Sequence, residues 1–281
     1  MRATLGVVTG ALALSALAVP AAQADEAPGV TAVTRAAQSA QADAVRGPAD
    51  DATGDTTISN VVVNGGKPVV LGPTTKKTFS VTFTAKDNSG IDWADVILWH
   101  GPDFDNLDGG ALANEDESVC TVVNSTTSTC KSTFTVDADL DLLNKLAGTW
   151  KVWAIAQGTD ADYVQKDNAK SFKIQRATKL TGTNASPEPI KRNKTLTITS
   201  KLTRANWETA KYQNFGGQPV KLQFKKKGTS TYTDVKTVTT TSTGALKTTV
   251  KATADGYFRY SFTGYTGTGA VTSKSDFVDV Q

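Results

Sequence analysis

"QPVKLQFKKKG", residues 218–228, alternates with a period of two: Val220, Leu222 and Phe224 fall on one face, and Lys221, Gln223 and Lys225 on the other. A strand that is apolar on one side and charged on the other covers a core with one face and meets water with its other. The run ends in three lysines, Lys225, Lys226 and Lys227, and a glycine, which reads as a strand running into a solvated turn.

The same texture extends in both directions. Downstream and upstream lie "KTLTITSKLTRA", "YTDVKTVTTTST", "ALKTTVKATAD", "GYFRYSFTGY" and "AVTSKSDFVDV". Before Arg176 come seven more runs: "SNVVV", "KTFSVTFTAKD", "WADVILWHG", "SVCTVV", "CKSTFTVD", "TWKVWAIAQG" and "KSFKIQ", separated by turn signals such as "KDNSG" and "QGTDAD". Only "DADLDLLNKLAG" looks helical, and it reads as a short crossover. Short strands without a βαβ rhythm predict an all-β chain of two tandem antiparallel β-sandwiches of immunoglobulin-like type, over 56–176 and 177–281.

Charge divides at the same place. Residues 25–176 hold 13 Lys plus Arg against 21 Asp plus Glu, net −8; residues 177–281 hold 16 against 6, net +10; with Arg2 these sum to +3. The first half is therefore expected to present an acidic surface and the second a basic one. Lys201, Arg204, Lys211 and Lys221 join Lys225–Lys227 in that basic surface, which points to an anionic polymer or to the acidic half as partner.

The N-terminus carries Arg2, an apolar run from Leu5 to Val19, Pro20, and small residues Ala22 and Ala24 before Asp25. This predicts a secretory signal peptide over 1–24, because the run is shorter than the ~20 residues that span a bilayer. Residues 25–55, rich in Ala, Gln, Asp and Gly with no aromatic residue, read as a flexible leader containing at most a marginal helix over 32–45. The expected location is secreted, extracellular or wall-associated, with no membrane span and no nucleic-acid partner. In that oxidising setting Cys120 and Cys130 are expected to form a disulfide across a hairpin.

"NASPEPIKRNKTLTITSKLTRANW", "VKLQFKKKGTSTYTDVKTV" and "LKTTVKATADGYFRYSFTG" resemble the immunoglobulin-like repeat of secreted actinobacterial proteins, largely of unknown function. The resemblance covers roughly 179–280 and implies a β-sandwich in an exported protein; it carries no catalytic residues. Within "ADGYFRYSF", Tyr257 is expected to pin a corner of the sandwich, as tyrosines do in such folds.

No chemical motif stands out. His100 is the only histidine, and no GxSxG elbow accompanies it. No carboxylate pair is marked out for glycoside hydrolysis. The acidic loop 101–117 places Asp103, Asp105 and Asp108 in loose imitation of a calcium loop, but the EF-hand spacing fails because Leu107 holds the fifth position and Asp108 the sixth. Asp160 and Asp162 are a weaker second candidate. On "WADVILWH" and "TWKVWAIA", Ala94, Val96 and Leu98 and Trp150, Val152 and Ala154 are assigned to the core, which puts Trp99 and Trp153 on the outer face as a surface for sugar or protein; the alternative is that these rings pack under loops. The expected function is a noncatalytic binding or structural protein of the envelope. The alternative is a secreted regulator, such as a protease inhibitor or a calcium-dependent module.

Overall fold

A computed structural model describes residues 50–281. The expected signal peptide (1–24), the possible helix over 32–45 and most of the expected leader lie outside the described residues. The leader does not extend to 55: Asp50–Thr53 form strand β1, paired with residues 163–166.

The first half continues with β2 (Thr57–Val63), β3 (Val69–Leu71), β4 (Lys76–Lys86), β5 (Ile91–His100), β6 (Gly109–Ala111), β7 (Val119–Asn124), β8 (Thr127–Asp137), β9 (Gly148–Gly158) and β10 (Tyr163–Arg176). One sheet has the order β1-β10-β9-β5-β6, with β3 parallel to the end of β10; the other has the order β2-β4-β8-β7. Each strand turns alternate side chains inward: Phe79, Val81, Phe83 and Ala85 from β4, Ala94, Val96 and Leu98 from β5, and Trp150, Val152, Ala154 and Ala156 from β9. The helical-looking segment is a crossover, with one helical turn at Ala138–Asp141 and a 3-10 turn at Asn144–Leu146.

The second half comprises β11 (Thr178–Leu180), β12 (Asn184–Ser186), β13 (Thr195–Asn206), β14 (Lys211–Asn214), β15 (Pro219–Lys226), β16 (Thr233–Thr239), β17 (Ala245–Lys251), β18 (Gly256–Phe262), β19 (Val271–Thr272) and β20 (Asp276–Val278). One sheet gathers β11, β12, β14 and β17 on β13; the other runs β16-β15-β18-β19, with β20 also on β18. Between them lies a second core of Leu196, Ile198, Leu202, Val220, Leu222, Tyr260 and their neighbours. The fold is thus all-β, with sandwiches of the immunoglobulin-like kind. Among the described residues no helix is long and apolar enough to cross a membrane.

Two local expectations change. The tyrosine that pins the second sandwich is Tyr260, fully buried, whose hydroxyl donates to the Ile198 carbonyl at 3.0 Å. Tyr257, three positions earlier, takes the opposite face of β18 and points outward. The two cores also fail to divide cleanly at 176. Ala205, near the end of β13, and Trp207, on the turn after it, belong to the core of the first sandwich. Trp207 is completely buried; its indole Nε1 donates to the Leu71 carbonyl at 3.4 Å, and its backbone N–H to Asn144 Oδ1 at 3.1 Å. Arg176 Nε donates to the Ala205 carbonyl at 2.6 Å, and Gln175 Nε2 to the Tyr265 carbonyl at 2.9 Å. The halves are joined by packed side chains as well as by the peptide link.

Candidate functional site

The Cys120–Cys130 disulfide is present, between residues directly opposite on β7 and β8 with Cα atoms 3.9 Å apart. The hairpin that the spacing suggested is therefore what brings the two sulfurs together.

The tryptophan surface is not a surface. Trp99 and Trp153 do face away from the main core, yet only 2% and 9% of each is exposed. The 3-10 turn Phe104–Asn106 folds over them: Phe104 stacks on Trp153 at 6.0 Å and meets Trp99 edge-on at 5.6 Å, and with Ile97 the rings form a small separate core. Lys151 lies 4.0 Å over the Trp99 ring and donates to the carbonyls of Gly101 and Pro102, both at 3.0 Å, which ties the loop down. Trp99 Nε1 is satisfied by the Asp167 carbonyl at 2.7 Å. Strand periodicity identified the face of these rings correctly; it holds no information about a loop that closes over that face.

The acidic loop does not gather its carboxylates either. Asp103 caps the 3-10 turn, accepting from Asn106 N at 2.9 Å and Asn106 Nδ2 at 2.7 Å. Asp108 turns the other way, to His100 Nδ1 at 2.5 Å and Lys145 Nζ at 3.7 Å. Asp103, Asp105 and Asp108, the weak calcium candidate of the sequence, are not among the carboxylates that converge, and Asp103 and Asp108 serve different partners. Among the described residues, His100 packs beside the Trp150 ring and pairs with Asp108, with no hydroxyl or thiol bonded to it.

The carboxylates that do converge are Asp55, Asp87 and Asp162, whose oxygens lie within 4.8 Å of one another. They come from three turns: before β2, after β4 and before β10. Asp87 is almost fully buried and accepts from Thr56 Oγ1 at 2.5 Å, Ser89 N at 2.8 Å and Ser89 Oγ at 2.6 Å. Burial pushes its pKa up, but those bonds outweigh burial and hold the carboxyl below its ordinary value. Asp55 accepts from Asn88 Nδ2 at 3.0 Å, and Asp162 from Asp55 N at 3.2 Å. The close approach requires bare backbone: a Cβ at Gly158 would lie 2.3 Å from the Asp87 carboxyl carbon. With donors already on the carboxylate oxygens, the cluster works as a clasp that ties three turns together. Asp162, half of the weaker sequence pair, belongs to it, while Asp160 accepts the Asp162 N–H at 3.2 Å.

The feature best suited to meeting a ligand is the outer face of β15, β18 and β20. Register places Lys225 opposite Tyr257, Gln223 opposite Arg259 and Tyr257 opposite Phe277. The Arg259 guanidinium lies 3.6 Å over the Tyr232 ring and donates from Nε to Gln223 Oε1 at 2.9 Å. Lys225 Nζ sits between Tyr257 (4.8 Å) and Tyr232 (5.2 Å); Tyr257 packs on Phe277 at 5.1 Å, and Lys227 Nζ is 5.4 Å over Phe277. Cations and rings therefore alternate across the sheet, each ring half-exposed.

Two carboxylates moderate this face. Asp234 receives Lys221 Nζ at 2.6 Å and Gln223 Nε2 at 2.8 Å, and the Lys221 bond foremost lowers its pKa. Asp255 is lowered first by the Val280 N–H and then by Lys227. Of the three lysines singled out in sequence, Lys227 is thus ion-paired, Lys225 lies between rings and Lys226 is exposed at the strand end. Arg204 is half-buried, its guanidinium carbon 4.1 Å over Phe215 and its Nη1 on Tyr265 Oη at 3.0 Å.

Residues 70–156 match a family described as a family of unknown function (DUF5707). That stretch is under a third of the chain and runs from β3 into β9. No curated protein matches. Solved structures with some likeness include a marsupial T cell receptor (11% identity, TM-score 0.35, covering 79% of this chain and 72% of that one), the Escherichia coli adhesin FdeC (14%, 0.32, 82% and 66%) and the D0-D1 domain of intimin (14%, 0.24, 79% and 98%). Scores this low carry no inference about function; the sandwich architecture stands on the strand pairing itself.

Proposed function

We propose that the chain is a secreted, noncatalytic binding protein of the cell exterior whose second sandwich holds an anionic polymer across the outer face of β15, β18 and β20. The observation that carries this reading is the interleaving of the cations Arg259, Lys225 and Lys227 with the rings of Tyr232, Tyr257 and Phe277 over one sheet face. Lys221 and Lys225 are two pleats apart on β15, about 13 Å, a spacing suited to charges that repeat along a chain. The rings between them offer flat apolar area to sugar units. Excess positive charge in this half, net +10, draws an anionic polymer in and gives neutral ones no such attraction. The disulfide and the expected leader at 1–24 support a location outside the cytoplasm.

The test is co-sedimentation of the whole protein with purified cell walls and with a soluble glycerol-phosphate polymer, against neutral dextran. Retention is expected to fall steeply between low salt and ~0.5 M salt, where the Debye length shrinks to a few ångströms. Changing Lys225, Lys226 and Arg259 to glutamate is expected to abolish it, and Tyr257→Ala to weaken it at unchanged charge. Absence of binding at low salt, or binding indifferent to these changes, overturns the reading.

A further inference from the structure

The first sandwich is open along one side, and the opening has the shape of a missing strand. β9 covers one edge of β10, while the other edge is covered by β1 over 163–166 and by β3 over 174–176. Among the described residues, 167–173 between them have no strand neighbour on that edge. The first three form a bulge, since the register with β9 shifts between Lys166 and Lys170; the remaining four, Lys170–Lys173, are extended and pair with β9 only. Facing this gap is β2, itself the edge of the opposing sheet. A cleft of about 340 Å³ lies between the two edges.

Its chemistry is mixed in a specific way. Val61 and Val63, both buried, and the half-buried Phe172 give it an apolar floor, while Lys67, Lys170 and Lys173 stand around it. By strand alternation Lys170 shares a face of β10 with Phe172, and Lys173 takes the opposite face, so the cations flank the gap on both sides. None of the three is in an ion pair among the described residues. Their gathering at one cleft contrasts with a half whose net charge is −8.

We propose that this cleft binds an extended peptide segment of another protein, which adds a strand along Lys170–Lys173, buries an apolar side chain against Phe172 and Val63, and sets carboxylates against Lys67, Lys170 and Lys173. Two sheet edges with unpaired backbone groups favour a peptide over an acyl chain, because only a peptide returns hydrogen bonds to them. The charge of the rim selects acidic segments over basic ones. Four extended residues span about 13 Å, so the peptide need be no longer than five or so residues. This site is separate from the cationic–aromatic face on the second sandwich and stands whether or not that face binds polymer.

The test titrates the whole protein, labelled for amide NMR, with acetyl-Glu-Val-Glu-Val-Glu-amide, with its lysine counterpart, with a version N-methylated on alternate residues, and with dodecanoate. The acidic peptide is expected to shift amides at 61–63 and 170–173, and to bind at least about tenfold more tightly than the lysine or N-methylated peptides. The Lys170→Glu, Lys173→Glu double variant, checked for an unchanged melting temperature, is expected to lose that binding, while Tyr257→Ala keeps it. If that double variant does not fold, Lys67→Glu supplies the same test from the turn. Equal binding of all peptides, shifts elsewhere, or dodecanoate occupying the cleft and excluding the peptide overturns the proposal.

Discussion

Trp207→Ala should destabilise the first sandwich, although residue 207 lies in the second half of the chain. The ring is wholly buried among first-core residues. Burying a tryptophan removes about 200 Å² from water, roughly 5 kcal/mol at ~25 cal/mol per Å², and large-to-small core changes of this kind measure about 3 to 5 kcal/mol. The indole bond to Leu71 is long, at 3.4 Å, and adds little. An expected loss of about 4 kcal/mol lowers the melting temperature by roughly 8 to 16 °C for a protein of this size. Urea unfolding of the full chain measures the loss, and hydrogen exchange locates it: protection should fall at β3 and at the end of β10. Trp207→Phe, which retains a ring but not the indole N–H, should lie between the two. A loss under about 1 kcal/mol, or one confined to amides of the second core, refutes the reasoning. By the same argument a fragment of 177–281 exposes this ring and Ala205, and should be less stable and more prone to associate than the same half in the whole chain.

Four further outcomes are expected. Replacing Cys120 and Cys130 by alanine should cost about 2 to 3 kcal/mol, read as a lower urea midpoint, because the ten-residue separation closes a small loop. Asp87→Asn should cost about 1 to 3 kcal/mol at pH 7 by disturbing the donors of Thr56 and Ser89; since the folded carboxyl titrates below its ordinary value, its contribution is present above about pH 4 and is lost as pH falls through the folded value. Asp95 has the opposite sign: burial foremost raises it to about 6, so stability should rise as pH falls from about 6 toward 4, and Asp95→Asn should flatten that part of a melting-temperature profile while stabilising the protein at pH 7 by about 1 kcal/mol after allowance for its partial exposure. Phe104→Ala should open Trp99 and Trp153 to solvent, seen as greater acrylamide quenching of fluorescence; unchanged quenching would mean another group covers the rings.

What could be read from the chain and what could not follows from the range of the forces involved. Period-two alternation is set by the backbone, so the inward faces of β5, β9 and β15 were legible residue by residue, and a ten-residue spacing between cysteines was enough to place the disulfide. Alternation in "GYFRYSF" also contained the answer to which tyrosine is pinned: Phe258, Tyr260 and Phe262 share the inner face, and Tyr257 must share the outer one with Arg259. Judging Tyr257 by its place after the turn overrode that stronger signal.

The remaining features depend on partners distant in sequence, for which a single chain holds no local mark. Trp207 meets Leu71 across 136 positions, and a lone aromatic in a polar turn does not declare which of two cores it enters. Asp55, Asp87 and Asp162 each look like ordinary turn residues; only the meeting of three sheet corners makes them a cluster. The cationic–aromatic face falls between these cases. Lys225, Tyr257 and Arg259 can be aligned from strand periods alone, but Tyr232 and Phe277 join them through a turn and a final short strand whose registers no alternation predicts. A charge count over 177–281 therefore marks the basic half and draws weight to the consecutive lysines, while Arg259, an isolated cation in the sequence, carries no mark of the ring it lies against on the same face.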